Sequence, residues 1–535
     1  MGRTPLFRLL QRAARIAQAS LHDPAPVDEF HARVVDARTN LSRRRLLLGA
    51  GAGLVLAGCG SVAPRGTVAA LPRPGARAGG EVAIVGAGIA GLTAAWRLRQ
   101  QGVRARVYEA QTRVGGRMLS LSNHFGADGP VIELGGELID TDHVRIRALA
   151  AELGLQLDDL LDGDGDHDTW WFDGRAIGER EIVEAFVPVA AAIERDLAAA
   201  GDGAYDHTDA NPAFRALDAL SIAQWFDRND VTGWLRTLLD VAYTTEMGLE
   251  IGEQSALNFL TFIGTEDAEA FKVFGSSDER FHVRGGNDLV PRRLAERMDD
   301  AIETGQVLEA VSAHGGGYRL SFRSGAASRD VLADEVILAL PFTLLRKVRI
   351  DAPLPADKRR AIDTLAYGTN AKLMIGFNQR VWRARGANGA SMSDLAYQTT
   401  WDTSRKQPGT GVLTNFTGGR HGIALGQGTP KAQADAAARD LDRLWPGALA
   451  ARDGAREVRM HWPTHPWTLG SYACLRPGDW AGLRGVIGAS VGRLHFAGEH
   501  CAPETQGFME GGCESGETAA AAVLAERGLA LPEPA

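Results

Sequence analysis

The chain has 535 residues, of which 45% are hydrophobic and 23% charged, with a formal net charge of -8. That length exceeds one ordinary hydrophobic core, so two closely connected domains with an N-terminal appendage are expected; the composition is that of a soluble globular protein and the charge gives no reason to expect nucleic acid as a partner. The four cysteines, Cys59, Cys474, Cys501 and Cys513, lack C-x-x-C spacing and are too few for a disulfide scaffold, and no metal site is expected.

The first stretch, Met1 to Ala19, is basic, with Leu6, Phe7, Leu9, Leu10 and Ile16 at roughly helical spacing, which fits either a short surface or membrane-facing helix or an unstructured leader. Nothing before Gly80 is expected to join the fold. Ser42-Arg43-Arg44-Arg45, followed by Leu46 to Leu48 and the run GAGAGLVLAGCGS, resembles a twin-arginine export signal. The run is too short and glycine-rich for a permanent span. Leu56-Ala57-Gly58-Cys59 resembles a lipoprotein cleavage box, so residues 1–59 are expected to direct export to the periplasm or cell surface. Membrane attachment would then run through acylated Cys59 or through an uncleaved basic segment. Residues 60–80, rich in Pro, Gly, Ala and Arg, read as a linker.

From Glu81 to Arg117 an apolar β-type run enters a glycine-rich turn, a helical pattern and a second β-type run. This βαβ unit carries G-x-G-x-x-G: Gly86 serves the tight turn, Gly88 lets the backbone approach a pyrophosphate, and Gly91 lets the helix lie close on the strand. The helix N-terminus, with Ala90 in its first turn, then faces the phosphates. The second strand ends at Glu109, whose carboxylate can accept both hydroxyls of an adenosine ribose.

After Glu109 come Arg113, Gly115, Gly116 and Arg117, and E-A-x-x-R-x-G-G-R resembles the flavin amine oxidase superfamily. The resemblance narrows the dinucleotide to FAD. It implies a mixed α/β fold, with a Rossmann-like FAD-binding domain (81–142, 278–345 and 462–530) and an interleaved substrate domain of helices and antiparallel sheet (143–277 and 346–461). It continues at Val131 to Leu157, a strand, the pair Gly135-Gly136 beside the flavin, and a helix with Ile146, Leu149, Ala150 and Leu153 on one face. Glu137 follows the pair and is a candidate partner for a substrate cation.

The run from Asp162 to Asp168 begins like a calcium loop but has His167 and Asp173 where such a loop needs Gly and Glu, so it reads as a solvated connection. Trp170 to Ile177 reads as a hairpin turning at Asp173-Gly174. Residues Ile182 to Phe274 look mainly helical, and Trp225, Phe226, Trp234, Tyr243, Phe259, Phe262, Phe271 and Phe274 are expected mostly in the core, with a minority lining an entrance channel. Phe281 to Leu289 resembles the second entry into the flavin domain, Val307 the position whose backbone meets adenine, and Asp334 to Pro341 the strand that crosses back.

In Gly368 to Trp382, Lys372 resembles the lysine that holds a water against the reactive flavin nitrogen. In His465 to Asp479, Tyr472 takes the place of one aromatic wall of a cage. Leu494 to Ala522 carries F-A-G-E and G-F-M-E-G, where Gly498, Glu499 and Met509 would lie along FAD, Phe508 would be the second wall, and a helix from about Gln506 would point its N-terminus at the flavin. The resemblance implies oxidative deamination of a primary amine by hydride transfer, with dioxygen as acceptor and hydrogen peroxide as product, and it leaves room for a homodimer. An L-amino-acid oxidase, a flavin desaturase or porphyrinogen-type oxidase, and a catalytically silent flavin-binding protein are the competing readings. Against amino acids stands the stretch Leu134 to Asp140, which offers Glu137 and Asp140 but no arginine for a carboxylate and leaves a diamine open.

Overall fold

The computed structural model describes residues 5–34, 80–161, 167–263 and 278–532. The twin-arginine run, the cleavage box, nearly all of the linker, the acids at 162–166 and the rings of Phe271 and Phe274 lie outside these residues. The fold is mixed α/β, with a Rossmann-like parallel-sheet layer and a second layer of helices and largely antiparallel sheet.

At its centre is a five-stranded parallel sheet in the order Leu494–Phe496, Glu335–Leu338, Val82–Val85, Ala105–Tyr108, Ile302–Glu303. All of Val82–Val85 is buried, as a strand covered on both faces must be. One cover is the helix Ile89–Gln100, in which every residue from Ile89 to Leu98 is buried. It is nearly apolar all round because the C-terminal helix Met509–Ala525 packs along its other side. A four-stranded sheet (Ala327–Ala333, Gly317–Ser324, Val307–His314, Arg349–Ile350) flanks this unit.

The second layer is a seven-stranded sheet in the order Arg452–His461, Ala371–Phe377, Gly411–Thr417, Thr399–Asp402, Ala387–Ser393, His167–Phe172, Arg175–Ala176. Its strands pair antiparallel except Ala387–Ser393 with His167–Phe172. The hairpin into Arg175–Ala176 turns at Asp173 and Gly174, both at positive φ (55° and 73°), as its Asp-Gly pair requires.

Beside this sheet stand the helices Glu179–Ala200, Pro212–Asp218, Ile222–Arg228, Gly233–Met247 and Ala256–Phe262. Two starts are set locally: Asn211 caps the second, and Ser221 forms a capping box with Gln224 at the third. Trp225, Phe226, Tyr243 and Phe259 are fully buried and stack on one another at 5.1 to 6.1 Å between ring centroids. They are core, and among the described residues none of these helices contributes to the cavity treated below.

The N-terminal segment departs from expectation. Pro5–Leu21 is a helix that lies along Glu179–Ala200, with Leu10, Ala13, Ala14, Ile16 and Ala17 buried in the main hydrophobic core. Arg12 pairs with Glu179 and His22 with Glu194, while Asp28 in the returning helix 27–34 reaches Arg180. Gln11 Nε2 donates to the carbonyl of Phe262 at 2.7 Å inside the contact. Sequence reading left these positions to a surface or membrane-facing helix or to an unstructured leader; Leu10 and Ile16 are instead buried against a helix of the fold. No described helix is long and apolar enough to cross a membrane. Deleting residues 1–34 should lower the melting temperature by several degrees and increase binding of a hydrophobic dye, because Leu10 and Ile16 each withdraw on the order of 1.5–3 kcal/mol of burial. An unchanged melt would remove this helix from the fold.

Candidate active site

Three glycines of the first βα turn do different work. Gly86, at φ 105°, has no room for a side chain, since a Cβ there would stand 2.5 Å from the Ala339 carbonyl. A Cβ on Gly91 would stand 2.0 Å from the Gly86 carbonyl, so this residue sets how closely helix and strand approach and does not itself face the cavity. A Cβ on Gly88 would meet no protein atom within 4 Å and would project into open space.

That space is a cavity of about 630 Å³, lined both by the turn and by residues of the seven-stranded sheet. At one end it is lined by Gly86, Gly88, Ala90, Glu109, Gly116 and Val307, at the other by Lys372, Tyr472 and Phe508, with Arg117, Gly135, Gly136, Gly498, Glu499 and Met509 also on its wall. All of the expected site residues except Gly91 and Arg113 therefore share one cavity. Arg113 instead braces its own loop, donating to the carbonyls of Val114 (3.1 Å) and Gly116 (2.8 Å).

Glu109 is held ready by its backbone surroundings: Oε2 accepts from Ala87 N and Oε1 from Gln111 N, each at 2.8 Å. Burial raises its carboxyl above the usual range, against the pull of those two N–H groups. With two lone pairs still to spare it suits ribose hydroxyls. The glycine cradle, the helix N-terminus and this carboxylate match the donor and acceptor pattern of a dinucleotide.

Arg117 ties the two ends of the wall together. Its Nη1 donates to Glu499 Oε1 (2.8 Å) and to the Ser471 carbonyl (2.6 Å), and Glu499 also accepts from Ala473 N. Tyr472 is thereby clamped between neighbours, its carbonyl accepting from Gly368 N and its hydroxyl donating to the Thr245 carbonyl at 3.2 Å. Phe508 is the N-cap residue of Met509–Ala525, so the helix starts three residues later than expected, and Gly507, Phe508, Met509 and Gly512 bring its first turn to the cavity.

Lys372 does not point to solvent. Its strand, Ala371–Phe377, pairs with Gly411–Thr417, and the ammonium reaches Glu137 Oε2 (2.8 Å), the Gly135 carbonyl (2.8 Å) and the Glu133 carbonyl (3.1 Å). Glu137 Oε1 takes Trp401 Nε1 at 2.8 Å and Thr403 Oγ1 at 2.6 Å. Burial works to raise the Glu137 carboxyl, but the Lys372 charge and the donors from Lys372, Thr403 and Trp401 outweigh it and hold the group below the usual carboxylate range. This corrects two expectations. Glu137 has both oxygens engaged and its charge paired with Lys372, which makes it a poor partner for a substrate cation, and Asp140 is buried off the cavity wall, where Oδ1 accepts from Glu279 N at 2.6 Å.

Sequence reading also missed four rings on the wall, Trp401, Phe416, Trp462 and Trp467. Trp401 and Phe416 lie 5.6 Å apart, and Lys372 Nζ is 5.5 Å from the Trp401 ring. Alternation along Gly411–Thr417 could have placed Phe416 on the face of Lys372, its register partner. Trp401, one strand further, needed the sheet order.

Comparison with known proteins agrees with this geometry. The model of the family described as flavin containing amine oxidoreductase matches residues 89–524. An L-amino acid dehydrogenase of Synechocystis sp. is 26% identical over 462 residues, 82% of this chain and 94% of that protein. The flavin-containing amine oxidase A of Sus scrofa is 24% identical over 466 residues, 83% and 85% of the two chains. The solved cyclohexylamine oxidase of Brevibacterium oxydans IH-35A superposes with a TM-score of 0.74 at 23% identity, covering 84% of this chain and all of the other, which supports the fold.

The glycines give a paired prediction. Gly88→Ala should leave the apo-protein melt unchanged yet weaken FAD binding at least about tenfold, on the order of 1.4 kcal/mol for one intruding methyl, whereas Gly91→Ala should lower both. Apo melts and fluorescence titration with FAD decide this, and a Gly88→Ala protein that binds FAD normally would detach the turn from the dinucleotide.

Proposed function

The chain belongs to the flavin containing amine oxidoreductases, and on that premise we propose that it deaminates a primary arylalkyl or alkyl amine oxidatively, with dioxygen as final acceptor and hydrogen peroxide as product. It is an oxidoreductase acting on CH–NH2 groups with FAD as cofactor. The observation that carries the substrate reading is the continuity of a dinucleotide cradle with a chamber walled by Trp401, Phe416, Trp467, Tyr472 and Phe508.

When bound, FAD supplies the two-electron acceptor for the hydride that leaves the amine-bearing carbon. The turn at Gly86 and Gly88 and the N-terminus of Ile89–Gln100 would hold the pyrophosphate, Glu109 would hold the adenosine ribose, and the backbone at Val307 would meet adenine. Tyr472 and Phe508 exclude water and orient the reacting carbon. Their apolar surroundings favour the uncharged amine, the form whose carbon releases hydride, because a desolvated ammonium loses its proton more readily. The imine product hydrolyses to an aldehyde and ammonia. Ser471 stands before Tyr472, so no cysteine is placed there for a covalent flavin link, and FAD is held noncovalently: acid precipitation should leave the yellow colour in the supernatant, and colour kept in the pellet would contradict this.

The export reading places the enzyme in the periplasm or at the cell surface. The folded helix Pro5–Leu21 lies upstream of the leader-like run, which favours a leader that stays attached over removal at Cys59.

A second reading, oxidation of an α-amino acid, draws on the relative named L-amino acid dehydrogenase. Against it, Arg117 and Lys372, two of the cations on the cavity wall, are each tied to a glutamate. A substrate carboxylate desolvated among the aromatic rings would cost several kcal/mol, and the charge of Lys372 is already taken by Glu137. Specificity constants for an aromatic amine and for the amino acid that differs from it only by the carboxylate should favour the amine at least about a hundredfold, some 2.7 kcal/mol. A preference for the amino acid would replace the first reading by the second.

A further inference from the structure

We propose that Glu137 is a positioning residue that closes Lys372 into a compensated ion pair, so that FAD faces a neutralised lysine and its reduction potential is held below the value a lone ammonium would impose. This rests on the reading of the cavity as a flavin site.

An ammonium has three N–H donors. Those of Lys372 are matched by three acceptors at 3.1 Å or less, Glu133 O, Gly135 O and Glu137 Oε2. The lysine side chain is 6% exposed and the glutamate 8%. The carboxylate is equally committed, with Trp401 Nε1 and Thr403 Oγ1 on its second oxygen. Its backbone is pinned as well: Asn287 Nδ2 donates to the Glu137 carbonyl at 2.7 Å and the Gly136 carbonyl at 3.0 Å. The pair is therefore assembled from a strand end, two strands of the seven-stranded sheet and the segment 281–289. A lysine so placed acts on its surroundings through charge, and the carboxylate at 2.8 Å cancels most of that charge at the distance of a neighbouring ring.

Breaking one half of a buried pair leaves the other charge uncompensated. A lone cation stabilises electrons added to a nearby flavin and a lone anion opposes them. The two single substitutions must therefore act in opposite directions. The midpoint potential of bound FAD, measured by anaerobic reductive titration against a reference dye, should rise in Glu137→Gln, fall in Lys372→Met, and return close to the parent value in the double variant. Loosening of the site by either change would instead move both singles the same way, and that result, or an unchanged potential in Glu137→Gln, overturns the proposal. Should a single variant fail to fold, the double variant buries no unpaired charge and decides alone: a potential far from the parent value contradicts compensation. Failure of the amine-oxidising reading would appear separately, as an FAD-loaded parent protein that no amine reduces.

Discussion

The site depends on how closely two helices approach. Ile89–Gln100 and Met509–Ala525 lie side by side, far apart in sequence, and at two positions the second helix has no room for a side chain: a Cβ on Gly516 would stand 2.4 Å from the Ala90 carbonyl, and one on Gly512 would stand 2.4 Å from Ile89 Cγ2. Gly91 repeats the arrangement against the strand turn at Gly86. Small residues at such crossings let backbones approach and fix the relative placement of the helix ends. Both N-termini consequently open onto one cavity, one carrying the dinucleotide glycines and the other Phe508 and Met509.

The opposite wall is set by polar rather than apolar contacts. Arg117 joins the loop after the first βαβ unit to Glu499 and Ser471, and Lys372 joins the segment 133–137 to the seven-stranded sheet. These bonds cross between chain segments hundreds of residues apart, so the chamber exists only once both layers have folded. Buried charges are retained at a cost of desolvation that hydrophobic packing would avoid; here they hold Tyr472 and Trp401 in place, orienting rings that packing alone would leave free to slide.

Most of the cradle was legible in the sequence because glycine, strand and carboxylate spacing each carry a direct physical meaning. Gly86, Gly88 and Glu109 line one cavity, and the apolar runs at Val82–Val85 and Val336–Leu338 lie in neighbouring central strands. Legibility ended where partners come from distant strands. Glu137 looks from the sequence like an available acid, since nothing near it announces that Lys372, Trp401 and Thr403 will converge on it. Arg113 looks like a ligand contact and is a loop brace. The amphipathic stripe at Leu10 to Ala17 is correct as a stripe, but periodicity states that a face is apolar and not what covers it. Gly512 and Gly516, four apart on one helix, were a readable signal of close helix packing that drew no reading.

Cradle, chamber and compensated lysine have in common a requirement that a bound flavin take electrons from an amine. Anaerobic titration of the FAD-loaded, full-length protein with an arylalkyl amine measures this directly. Stoichiometric loss of the oxidised flavin absorbance, regained on admitting air, is the predicted result. A flavin that stays oxidised under every amine, yet bleaches with polycyclic or polyene substrates or with nothing at all, would contradict it.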